Sequence, residues 1–207
     1  VKRFEELKND LVIIMGYGIF LPENFISKSK LGCINIHLSL LPKWRGASPI
    51  EHTLLAGENE TGVTIFKLNK KFDSGPILSS QKILIVDSMT KNQLQEKLNY
   101  IGTQLLIKTL PKYFLGKLKL RIQNERKVSY APKIKSRDRK INFFQNANDV
   151  YNKVRAFSPK PGAYTIFQKK RIKLFNTEIK DAQLSAKVCI GRIDYNNGCN
   201  CNNWCNL

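Results

Sequence analysis

Two short apolar runs near the beginning of the chain predict strands of a buried sheet. Residues 11–15 contain no polar side chain, which is typical of a parallel strand covered on both faces. The second run, residues 33–37, carries Asn35 and His37 two positions apart. Because side chains alternate along a strand, we expect these two polar residues on the same face.

The rest of the pattern alternates between helical and extended periodicity. Leu94, Leu98, Ile101 and Leu105 recur at the spacing of one helix face and predict a long helix over residues 90–114. Shorter helical segments are predicted over residues 5–9, 22–31, 50–56 and 148–157, and strands over residues 62–68, 76–85, 163–167 and 171–175. This mixture of strands and helices favours an α/β fold.

A change in composition after Gly116 predicts more than one domain. Residues 1–120 hold most of the predicted sheet, residues 121–147 are rich in basic side chains, and residues 148–207 begin with a short helix followed by strands. We therefore predict an α/β domain, a basic linker and a small β domain over these three ranges.

The chain is strongly basic, with 35 Lys and Arg against 16 Asp and Glu and a formal net charge of +19. Eleven of the basic residues lie between Lys112 and Asn142, where Glu125 and Asp138 oppose them. Apolar residues are interspersed among them, which favours a structured basic face over a solvated tail. Because neutralising phosphates releases counterions, we predict a polyanionic partner, a nucleic acid such as tRNA.

The sequence lacks the features of a secreted or membrane protein. No run approaches the roughly 20 apolar residues that cross a bilayer, and the first residues do not resemble a signal peptide. Four of the five cysteines lie in the last 19 residues. Without a secretory signal, we expect reduced thiols and a cytoplasmic location. The spacing of Cys199, Cys201 and Cys205 fits no common zinc pattern, so we expect no metal site.

Three polar groups are candidates for a catalytic site: the Asn35 amide, the His37 imidazole and the Asp73 carboxylate. We expect all three at the carboxyl ends of parallel strands, where open α/β sheets place their sites. An amide can donate to an oxyanion, an imidazole can accept a proton near pH 7, and a carboxylate can orient that imidazole. Together they suit direct attack of an amine on a carbonyl carbon, because no Ser or Cys has a partner base.

Plainer interpretations of the same residues stay open at this point. A strand histidine is often structural, and Asp73-Ser74-Gly75 alone is an ordinary turn. Trp44 and Arg45 alone would be a packed loop with an exposed charge.

The order of the motifs around these residues resembles that of the folate-dependent formyltransferases. The resemblance rests on Asn35-x-His37, Ser39-Leu40-Leu41-Pro42, Trp44-Arg45-Gly46-Ala47-x-Pro49, Glu60-Thr61-Gly62-Val63-Thr64 and Asp73-x-Gly75. It continues through Tyr130-Ala131-Pro132-Lys133 and Arg155-Ala156-Phe157-x-Pro159. The Trp-Arg-Gly-Ala-x-Pro motif is most similar to the branch of this family that acts on methionyl-tRNA.

The resemblance implies an enzyme that transfers a formyl group from 10-formyltetrahydrofolate, its co-substrate, to the amino group of initiator methionyl-tRNA. Asn35 and His37 would polarise the formyl oxygen, and Asp73 would hold His37 and help to move protons. The folate site would be lined by Ser39, Leu40, Leu41 and Pro42, with residues 15–21 as a further wall.

The resemblance also implies an architecture. Residues 1–120 would be the C-terminal part of a Rossmann-like formyltransferase sheet, and residues 148–207 would begin an OB-like β-barrel that binds tRNA. Since the family has further strands at both ends, we expect a chain that is truncated at both ends and reduced or absent in activity. We also expect a monomer.

Several positions depart from the family pattern. Leu38 follows His37 where the family has Gly, so we expect a strained or redirected loop there. Lys71 brings a positive charge near Asp73. The alternation of Asn and Cys after Asn196 suggests a frameshift near Asn197, in a decaying gene.

Two alternative functions remain open from the sequence. One is another 10-formyltetrahydrofolate-dependent N-formyltransferase, acting on a sugar nucleotide or a purine precursor. The other is a non-catalytic, basic RNA-binding remnant.

Overall fold

The computed structural model describes residues 9–17 and 21–179, together with the backbone of residues 192–194 and 198–200. Its contacts divide the chain into two compact units. Unit 1 comprises residues 1–49, 60–84 and 95–133, and unit 2 comprises residues 50–59, 85–94 and 134–207.

The described elements follow each other in this order along the chain. They are β1 (Val12–Met15), α1 (Glu23–Ile26), β2 (Cys33–His37), α2 (Pro49–Leu55), β3 (Glu60–Lys67), β4 (Ile77–Leu84), α3 (Lys91–Phe114), α4 (Ala147–Phe157), β5 (Ala163–Phe167), β6 (Lys170–Leu174), β7 (Arg192–Asp194) and β8 (Gly198–Asn200). Short 3₁₀ turns at Glu125–Lys127 and Ser136–Arg139 lie between α3 and α4.

Unit 1 is built on a four-stranded sheet with the order β1-β2-β3-β4. β1 pairs parallel to β2, which confirms the parallel strand predicted there, whereas β2–β3 and β3–β4 are antiparallel. The sheet is therefore mixed. Asp73 lies in the loop between two antiparallel strands and not, as expected, at the carboxyl end of a parallel one.

The first strand is less buried than its composition predicts. Ile13 and Met15 are 44% and 39% exposed, while Val12 and Ile14 are half-buried. The expectation that both faces of this strand are covered is therefore wrong for the described part of the chain.

The core of unit 1 lies between the central strands and α3. Ile34, Ile65 and Phe66 are fully buried, as is Leu98 of α3. At Gly102 the helix approaches the sheet so closely that a Cβ would lie 3.1 Å from Ile36 Cγ2 and 3.4 Å from Val63 Cγ1. A larger residue at this position would push the helix away from β2 and β3.

Unit 2 contains a short helix packed with a β-hairpin. The Asn146 side chain accepts a hydrogen bond from the backbone N–H of Asp149 at 2.8 Å and so begins α4. β5 and β6 form an antiparallel pair, and so do β7 and β8. The buried apolar cluster of this unit consists of Ile141, Val150, Val154, Phe157, Ala163 and Leu174.

Most predicted elements are confirmed with small shifts at their ends. β2 and β5 have the predicted bounds, and α3 begins one residue later than predicted. α1 ends at Ile26, well before residue 31. Residues 5–8 of the helix predicted over residues 5–9 lie outside the described residues, as does most of the Cys-rich tail, and residue 9 is not helical.

Within the described ranges, no helix combines the length and the apolar character that crossing a bilayer requires.

Replacing Leu98 by Ala should lower the free energy of unfolding by about 2–5 kcal/mol. Leu98 is fully buried, so the change removes apolar contacts and leaves a cavity. Urea unfolding followed by circular dichroism measures the loss. Tyr100→Ala, at a position on the same helix that is 68% exposed, is the control and should cost far less. Equal losses in the two variants would contradict this assignment of the core.

Candidate active site

Asn35 occupies the middle of β2, where its backbone pairs with that of Phe66. Its Oδ1 is buried and accepts no hydrogen bond within the described part of the chain. A buried polar atom without a partner is costly and uncommon. Because Asn35 lines a cavity open to solvent, its amide is available to a molecule bound there.

His37 ends β2 and is only 5% exposed. Its Nε2 lies 2.8 Å from the backbone oxygen of Trp44. A carbonyl oxygen only accepts hydrogen bonds, so Nε2 donates, and in the neutral ring Nδ1 is the basic nitrogen. Nδ1 lies 3.7 Å from Oδ2 of Asp73.

Burial keeps His37 in its neutral form. Desolvation of the ring lowers the pKa of His37, while the negative charge of Asp73 and the hydrogen bond to Trp44 oppose this shift. A neutral imidazole beside a carboxylate can take up a proton that is released nearby.

The Asp73 carboxylate is held in a buried turn. Asp73 is 7% exposed and has a φ of 47°, in the left-handed region that residues other than Gly rarely adopt. Its Oδ2 accepts a hydrogen bond of 2.9 Å from the backbone N–H of Gly46. The carboxylate therefore has a backbone donor and the His37 ring as its polar neighbours.

Left-handed backbone is found at positions that the sequence did not indicate. We expected strain at Leu38, but Leu38 is not among the residues with positive φ. Positive φ angles are found instead at Trp44, with a φ of 63°, and at Asp73. Gly46 has a φ of 138°, and a Cβ there would collide with the backbone oxygen of Ala131. The strain therefore lies in the two loops that meet at the Asp73 carboxylate.

Arg45 is buried, with 3% of its surface exposed, and is not the exposed charge of the plainer interpretation. Its Nε and Nη2 donate to Oε1 of Gln123 at 3.0 and 2.8 Å. Its Nη1 and Nη2 also donate to the Glu125 carboxylate at 3.2 and 2.8 Å. These hydrogen bonds hold the pKa of Glu125 below its usual value.

Gln123 is a residue of this site that the sequence did not indicate. Its Nε2 donates to the backbone oxygens of Asp73 and Gly75, both at 2.8 Å. The residue comes from the stretch interpreted as a linker, where the only signal was basic charge.

Asn35 and Asp73 line one cavity, which has a volume of about 40 Å³ and is open to solvent. The other lining residues are Ile14, Tyr17, Leu21, Ile26, Leu68, Asn69, Lys71 and Phe72. His37 is not among them and is connected to the cavity through Asp73. Lys71 does bring a positive charge to the wall of this site, as expected.

The side chains of the loop after β2 form hydrogen bonds and apolar contacts inside unit 1. The fully buried Ser39 donates from Oγ to the Lys43 oxygen at 2.6 Å, and its own oxygen accepts from Thr64 Oγ1 at 2.7 Å. The Leu41 side chain packs against Phe66. Ser39, Leu40, Leu41 and Pro42 do not line the cavity shared by Asn35 and Asp73, so their role in folate binding stays a prediction.

No cluster of three or more His, Cys, Asp or Glu side chains occurs within the described ranges. Cys201 and Cys205 lie outside those ranges.

The fold of this chain is found in several solved structures. The chain resembles a likely sugar N-formyltransferase from Mycobacterium tuberculosis, with a TM-score of 0.73 and 18% identity over 87% of this chain and 78% of that one. It also resembles HypX from Aquifex aeolicus in complex with tetrahydrofolic acid, with a TM-score of 0.70 and 22% identity over 81% of this chain and 29% of that one.

The amino-acid sequence gives the family. Residues 1–110 match the formyl transferase family model, and residues 133–199 match that of the formyl transferase C-terminal domain. A methionyl-tRNA formyltransferase of Kosmotoga olearia is 43% identical over 86% of this chain and 57% of its own length. The chain belongs to the formyl transferase family, and it spans about half the length of the curated relatives it matches.

The free energy of unfolding should fall as the pH is lowered from about 7.5 to 5, and His37 should account for part of this loss. Because its pKa is lower in the folded chain, the unfolded chain takes up the proton first. The stability present above about pH 6.5, the usual histidine pKa, is then lost as the pH falls towards the folded-state value. Urea unfolding at both pH values measures the effect.

The chain has two histidines, which supplies the control for this measurement. His37→Gln should lose less stability on acidification than the wild type. His52→Gln leaves His37 in place and should retain the wild-type loss. The same pH dependence in the wild type and His37→Gln would show that His37 is not the group responsible.

Proposed function

We propose that this protein transfers the formyl group of 10-formyltetrahydrofolate to the amino group of methionyl-tRNA. The observation that carries the proposal is the convergence of the Asn35 amide, whose buried Oδ1 has no partner in the described part of the chain, and the buried Asp73 carboxylate on one cavity, with the His37 imidazole beside the carboxylate. The name of the relative that is 43% identical supports this acceptor.

The reaction we propose is direct transfer. The amine nitrogen attacks the formyl carbon and forms a tetrahedral intermediate, in which the Asn35 amide donates to the developing oxyanion. The pair of His37 and Asp73 accepts the proton that the amine loses, with Nδ1 of His37 as the basic nitrogen. When the intermediate collapses, the bond to the folate nitrogen breaks and that nitrogen takes up a proton.

The cavity wall suits a flat, partly apolar co-substrate. Tyr17, Leu21, Ile26 and Phe72 supply aromatic and aliphatic surface next to the polar group of Asn35. We propose that the pteridine ring lies here, and that Ser39, Leu40, Leu41 and Pro42 contribute through the loop that they form. The tetrahydrofolic acid in the HypX complex supports a folate ligand for this fold.

The tRNA partner is proposed from charge. Residues 121–133 belong to unit 1 and run beside the Trp44–Gly46 loop, where Ala131 donates to the Arg45 oxygen at 2.7 Å. Arg121, Arg126 and Lys127 of this stretch are exposed. An exposed basic stretch next to the catalytic loop is a suitable surface for the phosphates of an acceptor stem.

We propose the finer architecture on the same basis. Residues 1–120 would form the catalytic domain, residues 121–147 a linker, and residues 148–207 the beginning of an OB-like tRNA-binding barrel. The antiparallel pairs β5–β6 and β7–β8, and the family match over residues 133–199, support a β domain there. A monomer in the cytoplasm is the state we propose for the working enzyme.

The test is a formylation assay with the purified chain, methionyl-tRNA and 10-formyltetrahydrofolate. His37→Ala should lower kcat by about 10²–10⁴-fold and Asn35→Ala by about 10²–10³-fold, because each removes a group that acts in the transition state. His52→Ala is the matched control and should keep wild-type activity. Transfer to a sugar nucleotide but not to methionyl-tRNA, or tRNA binding without turnover, would overturn the proposal.

A separate prediction concerns the basic stretch. The double variant Arg126→Ala/Lys127→Ala should weaken tRNA binding and reduce the slope of log K against log salt by about 2, if each residue contacts one phosphate. Fluorescence titrations with labelled tRNA at several salt concentrations measure this. Lys97→Ala/Lys108→Ala removes the same charge from the exposed surface of α3. Equal effects in the two double variants would point to net charge and against a defined binding surface.

A further inference from the structure

We propose that Gln123 is a positioning residue for formyl transfer: its amide holds the two loops that orient His37 and Asp73. The inference rests on the proposed function for its kinetic consequence. The role of Gln123 in holding the two loops can be tested without measuring turnover.

The amide of Gln123 is fully engaged and its orientation is fixed by its partners. Its Nε2 donates to the Asp73 and Gly75 backbone oxygens, both at 2.8 Å, and its Oε1 accepts two hydrogen bonds from Arg45. A reversed amide would set its oxygen against two carbonyl oxygens and its NH₂ group against a guanidinium. Gln123 is 5% exposed, so water does not replace these bonds readily.

The loop that receives the two N–H groups is one that needs support. Asp73 has a φ of 47°, which an L-residue rarely adopts without surrounding constraints. Gly75 is so close to β3 that a Cβ would collide with the Lys67 oxygen. Without Gln123, the buried carbonyl groups of Asp73 and Gly75 would each lose this partner.

The other partner of Gln123, Arg45, fixes the second loop. Arg45 stands between Trp44, whose oxygen accepts from His37, and Gly46, whose N–H donates to Asp73. One amide thus connects the loop that sets the imidazole to the loop that sets the carboxylate. The bonds span 78 residues to Arg45 and 50 to Asp73, so no local backbone preference replaces them.

Gln123 does not line the cavity, so it should affect the reaction rather than substrate binding. Gln123→Glu keeps an acceptor for Arg45 but removes both donors. It should lower kcat by about 10–100-fold with both KM values within about twofold of the wild type, since small displacements of catalytic groups are costly. Gln104→Glu, the same change on the exposed surface of α3, is the control and should alter neither.

Hydrogen exchange provides a readout that needs no turnover. In Gln123→Glu the Gly46 amide, which bonds the Asp73 carboxylate, should exchange at least tenfold faster, while the amides that join β2 and β3 keep their protection. Should this variant not fold, Gln123→Met, which has a similar length and no amide, is measured in the same way.

The outcomes separate the two proposals. An inactive wild type with faster Gly46 exchange in the variant would reject the proposed function and leave the role of Gln123 in the loops intact. If the wild type is active, either of two results would reject the positioning role. One is a variant that keeps the wild-type kcat, and the other is an equal loss of protection at Gly46 and at the β2–β3 amides.

Discussion

The structure of this site depends on one buried carboxylate. Removing the charge of Asp73 from water is expensive unless donors surround it. Here the Gly46 N–H supplies one hydrogen bond, and Nδ1 of His37, 3.7 Å away, can donate only when the ring is protonated. His37 lies where the loop after β2 begins, and Gly46 lies further along the same loop. The position of the carboxylate therefore determines the path of this loop.

Loops of this kind do not hold themselves. Trp44 and Asp73 adopt left-handed backbone, and such residues persist when their surroundings determine their conformation. The surroundings are the buried Arg45 and Gln123, which bond each other, and Arg45 in turn donates to Glu125 on the surface. The strain is thereby carried by a polar network. Dipoles held in fixed positions stabilise the charge that develops in a transition state.

Much of this arrangement could be predicted from local sequence. The alternation in residues 33–37 put Asn35 and His37 on one strand with the observed bounds, because side-chain period is a local property. Asp73 was a candidate because it lies near a predicted strand end, and its carboxylate lies beside His37 as expected. The family assignment agrees with the comparisons. The folate role of the Ser39–Pro42 segment remains a prediction.

Local pattern and motif order were therefore enough to identify the strand, the candidate catalytic residues and the family. The antiparallel course of β3 and β4, the burial of Arg45 and the contacts of Gln123 were decided by the tertiary structure. The partners of Arg45 lie 78 and 80 residues away in the sequence, and those of Gln123 lie 48 to 78 residues away. A basic residue and a glutamine look like surface residues until folding brings them together, because hydrogen bonding to a distant chain segment leaves no periodicity in the sequence.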